Sequence, residues 1–376
     1  MIRSTACLLS IISLTFSLDN DGDSMVMEGV RAFYNYEFDM ATDILDDARL
    51  KYPNHPGVHF IWSSSKYYIS QAKDPIAATY DTLENTLNQI EPLYERFVVD
   101  YPANSQYNLY LGSTKGLRAR VSLGNKAWLS ILFDAYRGFT IIEKVSRENP
   151  GLVDAKLPIG IVEYYASVGN VFVRWAVDLY GLETSKDKAL KKISDAAKNS
   201  KWAWIEASGI ISFIYLWLED APHLALPYAE KLSNEFPRNF YFNILYLESL
   251  IKTNSFKEAK DLIKVLERKF GLLTKRQKEW YGPYLNYEKA LLLFHKKDYL
   301  QTLPIIDSSI ENYSGELDII LGNLFLLKGK VFDLQGDRRN AIEYYKKCIG
   351  LNNLSSAIKD SKQYLKKPYT DYGSQK

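Results

Sequence analysis

The sequence predicts an all-α solenoid, in which antiparallel helix pairs stack into a superhelix with irregular, longer helices in the centre. Three observations predict it. From about Ser24 onward, helical patterns alternate with short turns, and strand alternation is scarce. The two ends of the chain, around 24–57 and 317–351, fit one helix–turn–helix template. Ala225 and Ala259 hold equivalent places in two further copies and lie 34 residues apart, the period of one helix-pair unit.

The template needs a small residue in its first helix (helix A), a turn, an aromatic residue, and two small residues in its second (helix B). Small residues belong where the helices cross closely. A proline near the end stops helix B by restricting the residue before it. Residues 24–57 supply Gly29, then Phe38, Ala41, Leu45, Ala48 and Pro53. In the last unit Gly329, Phe332, Gly336-Asp337, Ala341, Tyr345 and Cys348 take the same roles, which makes Cys348 a compact buried side chain. Asn254 to Ala259 forms a turn and the start of a helix B, as does His295 to Tyr299, with Ala290 in the preceding helix A. Ala225 through Leu232 to Pro237 is another helix B, and Ala189-Leu190 with Ala196 begins one more.

The template is that of the tetratricopeptide repeat (TPR). The clearest units are 24–57, 205–239, 240–271, 283–315 and 317–351, within an array over 18–368. Five or six units are counted, or eight if the longer helices are included. Two stretches depart from the period. Asp74 to Tyr101 reads as one long helix with Pro92 inside, so a kink or break is expected. Residues 104–181 carry helices longer than the template needs. A capping helix over 355–366 covers the last apolar face, and 369–376 reads as a flexible tail.

Met1 to Ser17 reads as a secretory signal peptide, with Arg3 ahead of an apolar stretch from Ala6 to Phe16 and small Thr15 and Ser17 before a cleavage point. That stretch is too short to span a bilayer. The expected location is therefore periplasmic or extracellular, in a bacterium. Asp19, Asp21, Gly22, Asp23 and Glu28 have calcium-loop spacing, but position one is Ser17 and no helix precedes it, so no metal is assigned. With Cys7 in the leader, Cys348 is the one cysteine of the mature chain, and stability rests on packing without a disulfide.

Asp154-Ala155, Gly160, Tyr164-Tyr165, Lys188-Ala189-Leu190 and Ala207, with 225–232 and Phe236 to Asn239, resemble bacterial exported TPR proteins similar to the TPR-39 family. The likeness spans roughly 104–260. It implies a scaffold whose partner is unspecified, and it brings no catalytic residue.

The chain has 47 basic and 45 acidic residues, a net charge of +2, so no basic excess points to nucleic acid. Lysine pairs such as Lys191-Lys192 and Lys346-Lys347 read as solvated helix faces. Four histidines include His55 and His59 at metal-like spacing, but Pro56-Gly57 separates them. Gly112 to Gly116 lacks phosphate-loop spacing, and Asp46-Asp47 diverge on a helix. No catalytic residue and no cofactor is assigned, and the chain is read as a non-enzyme.

A TPR superhelix has a concave groove lined mainly by A helices, where a partner segment can lie. Candidate groove residues are Tyr107, Tyr110, Arg118, Tyr164 and Tyr165; Arg120, two residues from Arg118, cannot share its line. The expected role is a protein-interaction scaffold. The alternative is a carbohydrate-binding or, more remotely, carbohydrate-active helical protein, motivated by the 28 Tyr, 17 Phe and 7 Trp.

Overall fold

The computed structural model describes residues 20–124, 128–169, 185–314 and 318–371, with the side chains of 122–135 excepted. The expected signal peptide and the tail residues 372–376 lie outside the described residues. In chain order the helices are α1 (Asp23–Tyr34), α2 (Phe38–Lys51), α3 (Val58–Lys73), α4 (Ile76–Asp100), α5 (Ser105–Gly124) and α6 (Trp128–Glu148). They continue with α7 (Lys156–Val168), α8 (Lys186–Asn199), α9 (Trp204–Phe213), α10 (Pro222–Glu235), α11 (Phe240–Lys252) and α12 (Phe256–Leu272). The last are α13 (Lys275–His295), α14 (Tyr299–Glu311), α15 (Ile319–Leu334), α16 (Arg338–Gly350) and α17 (Ser356–Lys366). A π-helical turn, Ile214–Leu218, extends α9. No strand occurs among the described residues.

Among the described residues the helices pack in antiparallel pairs, α1 on α2, α3 on α4, and so on to α15 on α16, with α17 covering the end. This is a TPR-like α-solenoid. Its repeat is written in the A-to-B turns. Tyr36, Asn254, Lys297 and Gly336 all have left-handed backbone, with φ of 62, 63, 62 and 80°. The next residue in each case donates its N–H back across the turn, from Glu37 to Ala32, Ser255 to Leu250, Asp298 to Leu293 and Asp337 to Phe332, at 2.8–3.0 Å. That bond closes the helix end and sets the angle at which helix B departs.

The packing positions keep step with this turn. Ala41, Ala259, Thr302 and Ala341, each five residues beyond it, are fully buried. Gly29 and Gly329 sit at one place in helix A. A Cβ on Gly29 would lie 2.6 Å from Leu45, and one on Gly329 would clash with the edge of the Tyr345 ring. Replacing Gly329 with Ala is expected to cost about 1–3 kcal/mol through overpacking. Gly336→Ala, with nothing within 4 Å of the new Cβ, is expected to cost about 1–2 kcal/mol for its positive φ alone. Thermal melts of the two variants check this; an unchanged melt for Gly329→Ala would contradict the register. Cys348 fills its small slot fully buried, and burial pushes its thiol up to about 11.

Two expectations change. The helix α4 runs unbroken through Pro92. Pro92 and Asn88, whose carbonyl the proline leaves without its helical partner, are both exposed, so water can take that bond. Tyr369, placed in the flexible tail, instead folds back: its N–H donates to Asp333 at 2.7 Å and its ring meets Phe294 and Tyr364.

Candidate functional site

The superhelix turns tightly enough for A helices far apart in sequence to touch. Helix α3 packs on α13. The Tyr34 and Tyr68 hydroxyls both donate to the Glu206 carboxylate, Tyr68 at 2.8 Å. The Asn239 amide donates to the Tyr34 carbonyl at 2.9 Å, and the Tyr36 and Tyr281 hydroxyls meet at 3.2 Å. The Thr274 hydroxyl donates to the Ala72 carbonyl. At the rim, Arg31 pairs with Glu235 at 3.1 Å and Arg238 with Glu37 at 2.8 Å.

A further lock sits at α1. Asp23 accepts from the His55 ring at 2.7 Å and from Lys201 at 2.5 Å. Burial pushes the Asp23 carboxyl up, but Lys201, the Asn20 amide and His55 outweigh it and hold it below the usual carboxylate range. The Gly57 N–H donates to the other His55 nitrogen, so the His55 proton faces Asp23. His59 bonds separately, to the Pro53 carbonyl and Arg49. Among the described residues no three His, Cys, Asp or Glu side chains gather as metal ligands, and no helix is long and apolar enough to cross a membrane.

Aromatic rings fill the space between these contacts. Tyr34 lies 5.5 Å from Phe236 and 5.8 Å from Phe242, and Trp217 lies 6.1 Å from Tyr284. Much of the aromatic content that suggested sugar binding is thus spent on packing across the superhelix. Beside Trp217 lie two fully buried carboxyls, Glu248 and Glu288. Trp217 donates to Glu248, and Lys252 reaches it at 2.9 Å. Burial, then the neighbouring Glu248, pushes Glu288 well above the usual carboxylate range and favours its protonated form. Both carboxyls are shut away from solvent.

The five groove candidates do not form one surface. Tyr107 is buried between α4 and α5, its ring 5.0 Å from Phe97 and its hydroxyl on the Asn54 carbonyl at 2.5 Å. Tyr110 is buried against Phe60 and Tyr94. Tyr164 is 1% exposed and donates to Glu219 at 2.7 Å. These three pack helices together and are out of a partner's reach, which corrects their assignment to a groove lining. Arg118 is tied back to α4 by Glu91 at 2.5 Å and Asn88 at 2.9 Å. Tyr165 differs: it is 38% exposed, its ring edge-on to Tyr164. Sequence reading missed Glu206, Asn239 and Tyr281, which carry the long-range contacts and have no periodic signature.

No protein-family model matches the chain, and no curated protein matches it. The narrower likeness to the TPR-39 group therefore stands on its residues alone. Solved structures similar in outline include a tetratricopeptide repeat protein from Parabacteroides merdae, at 11% identity and TM-score 0.34 over 92% of this chain and 98% of that one. The human IFIT1 dimer with PPP-AAAA is similar at 12% identity and TM-score 0.42, over 92% and 84% of the two chains. The apo quorum sensor NprR from B. thuringiensis is similar at 14% identity and TM-score 0.39, over 89% and 99%. At these scores the fold assignment rests on the chain's own repeats.

Proposed function

We propose that this chain is a non-catalytic protein-interaction scaffold of the cell envelope or exterior, which holds a partner segment against the part of its concave face around Tyr165. The observation that carries the reading is the exposure of Tyr165. Of the candidate tyrosines it alone keeps more than a third of its surface free, while Tyr107, Tyr110 and Tyr164 are spent on packing. A half-exposed tyrosine on a rigid frame suits recognition, because it offers a large contact area at little entropic cost. The envelope location is supported by the leader-like pattern of Met1 to Ser17.

The test is a photocrosslinking amino acid at position 165, compared with one at Leu300, which is 85% exposed on α14. A single defined partner should be trapped from 165 and not from 300, and Tyr165→Ala should lose it without a change in melting. Trapping from 300 alone, or from neither, sinks the concave-face reading. Intact mass of the recovered protein should lack Met1–Ser17; retention of Met1 overturns the export reading.

A further inference from the structure

Helix α17 covers the last apolar face of the array, yet the chain beyond it turns back along the solenoid. Pro368 holds Lys367 in extended backbone, with φ −136° and ψ 125°, and so stops α17. Lys367, Pro368 and Thr370 are exposed, while Tyr369 and Asp371 are half-buried against the body. That alternation is how an extended segment sets every second side chain on the surface beneath it. The segment reaches the preceding unit. Its Tyr369 ring packs 6.0 Å from Phe294 of α13 and 5.2 Å from Tyr364 of α17, and Asp371 pairs with Lys297 at 2.6 Å.

The seat under this segment is fixed by the fold. Asp333, its side chain 1% exposed, accepts the Tyr369 N–H at 2.7 Å, a main-chain bond that most residues could make. The Tyr345 hydroxyl at 2.8 Å and Arg338 at 3.0 and 3.1 Å hold that carboxylate in place. Lys330 lies 5.4 Å from the centre of the Tyr364 ring and 5.1 Å from that of Tyr369, with its ion-pair partner Asp360 at 3.9 Å. Burial pushes its ammonium below the usual lysine range. An aromatic face at this spot therefore stabilises a cation that water reaches poorly. Asp333 and Asp360 are the acids of the seat. Arg338 is taken up by Asp333 and by the Tyr364 and Leu365 carbonyls, so Lys297 is the cation that meets the segment's carboxylate. The grip there is light, because the Asp371–Lys297 pair is open to solvent and exposed pairs add little.

We propose that this seat binds an extended segment of a protein partner, carrying an aromatic residue and a carboxylate two places after it, and that residues 367–371 occupy it in the free chain until such a segment displaces them. The occupant in cis states the chemistry of the one that replaces it: a ring against Phe294, Tyr364 and Lys330, a main-chain N–H for Asp333, and an acid for Lys297. Laying an extended peptide on a preformed surface with alternate side chains seated is a common mode of recognition. A second copy's segment is the same ligand without the tether. The tether sets an effective concentration on the order of millimolar, so the copy loses to the segment in cis. A partner that adds contacts beyond these five residues does not. The seat is built from α13, α15 and α17, none of which carries Tyr165.

The test is fluorescence anisotropy of a labelled, end-blocked peptide Lys-Pro-Tyr-Thr-Asp against the full chain and its Tyr369→Ala variant. Tyr369→Ala opens the seat and should bind the peptide saturably. The parent should bind it about ten-fold more weakly or worse, since only chains with the segment lifted are competent. The peptide with alanine for its tyrosine should not bind. With asparagine for its aspartate it should bind Tyr369→Ala about two- to five-fold more weakly, the share of an exposed ion pair. Adding Lys297→Gln should erase that difference. Should Tyr369→Ala lose the parent's circular dichroism, Asp371→Asn serves in its place and should bind the peptide about two- to five-fold more tightly than the parent. No saturable binding by the opened chain, equal binding by the parent, equal binding of the alanine or asparagine peptide, or an acid preference that survives Lys297→Gln would overturn the proposal. So would a dimer of the parent in light scattering that Tyr369→Ala dissociates, which would make a second copy the occupant.

Discussion

Trp217→Ala is expected to lower stability by about 3–5 kcal/mol, as deletion of a buried indole generally does. Trp217 heads the largest fully buried side chains. Its ring meets Phe213 at 5.2 Å and Tyr284 at 6.1 Å, which joins α9 to α13 across the interior. Truncation leaves a cavity, and it also takes the N–H away from Glu248, which is fully buried beside a second carboxyl. Trp217→Phe restores most of the volume but not the donor, so it should recover part of the loss. Urea unfolding followed by far-ultraviolet circular dichroism measures both. A loss under about 1 kcal/mol for Trp217→Ala would mean that this ring does not join the two arms of the array.

Glu206→Ala is expected to cost about 2–4 kcal/mol, from two tyrosine hydroxyls each losing an acceptor at roughly 1–2 kcal/mol. Those hydroxyls come from α1 and α3, while Glu206 is on α9. The variant therefore tests the long-range closure itself. Glu206→Gln keeps a carbonyl acceptor and should lose about half as much. Burial, then the Glu206 carboxylate, holds Tyr34 and Tyr68 well above the ordinary value of 10.0. Because the fold raises them, their contribution is fully present below pH 10 and is lost as pH rises beyond it. Normal stability in Glu206→Ala would show that the closure stands on apolar contact alone.

The repeat was legible because its physics is local. A small residue has to sit where two helices cross, and Ala41, Ala259 and Ala341 announce it. The turn at Gly336 is equally plain, since glycine tolerates φ of 80°. Tyr36 and Lys297 adopt the same left-handed turn without glycine, and composition gives no hint of that. The site was harder to read. Tyrosines at helical spacing look alike whether they line a groove or an interface, so Tyr107 and Tyr110 were placed on the wrong side of their helix. The Tyr34–Glu206 and Tyr36–Tyr281 pairs join residues 172 and 245 apart, and no periodicity encodes partners at that range.

The contact of α1 and α3 with α9 to α13 has a consequence for how the chain comes to be folded. An open solenoid zips up from any unit, each settling on its neighbour as it leaves the ribosome. Here the first helices find their final partners only after Tyr281 has been made. Until then their aromatic faces stand uncovered, and the entropic cost of closing so long a loop is still owed. The finished molecule should lose the option of fraying from its first repeat, because that repeat is held at both its sequence neighbour and a distant one. Unfolding should proceed as one event across the closed part, with hydrogen exchange at α1 as slow as at α11.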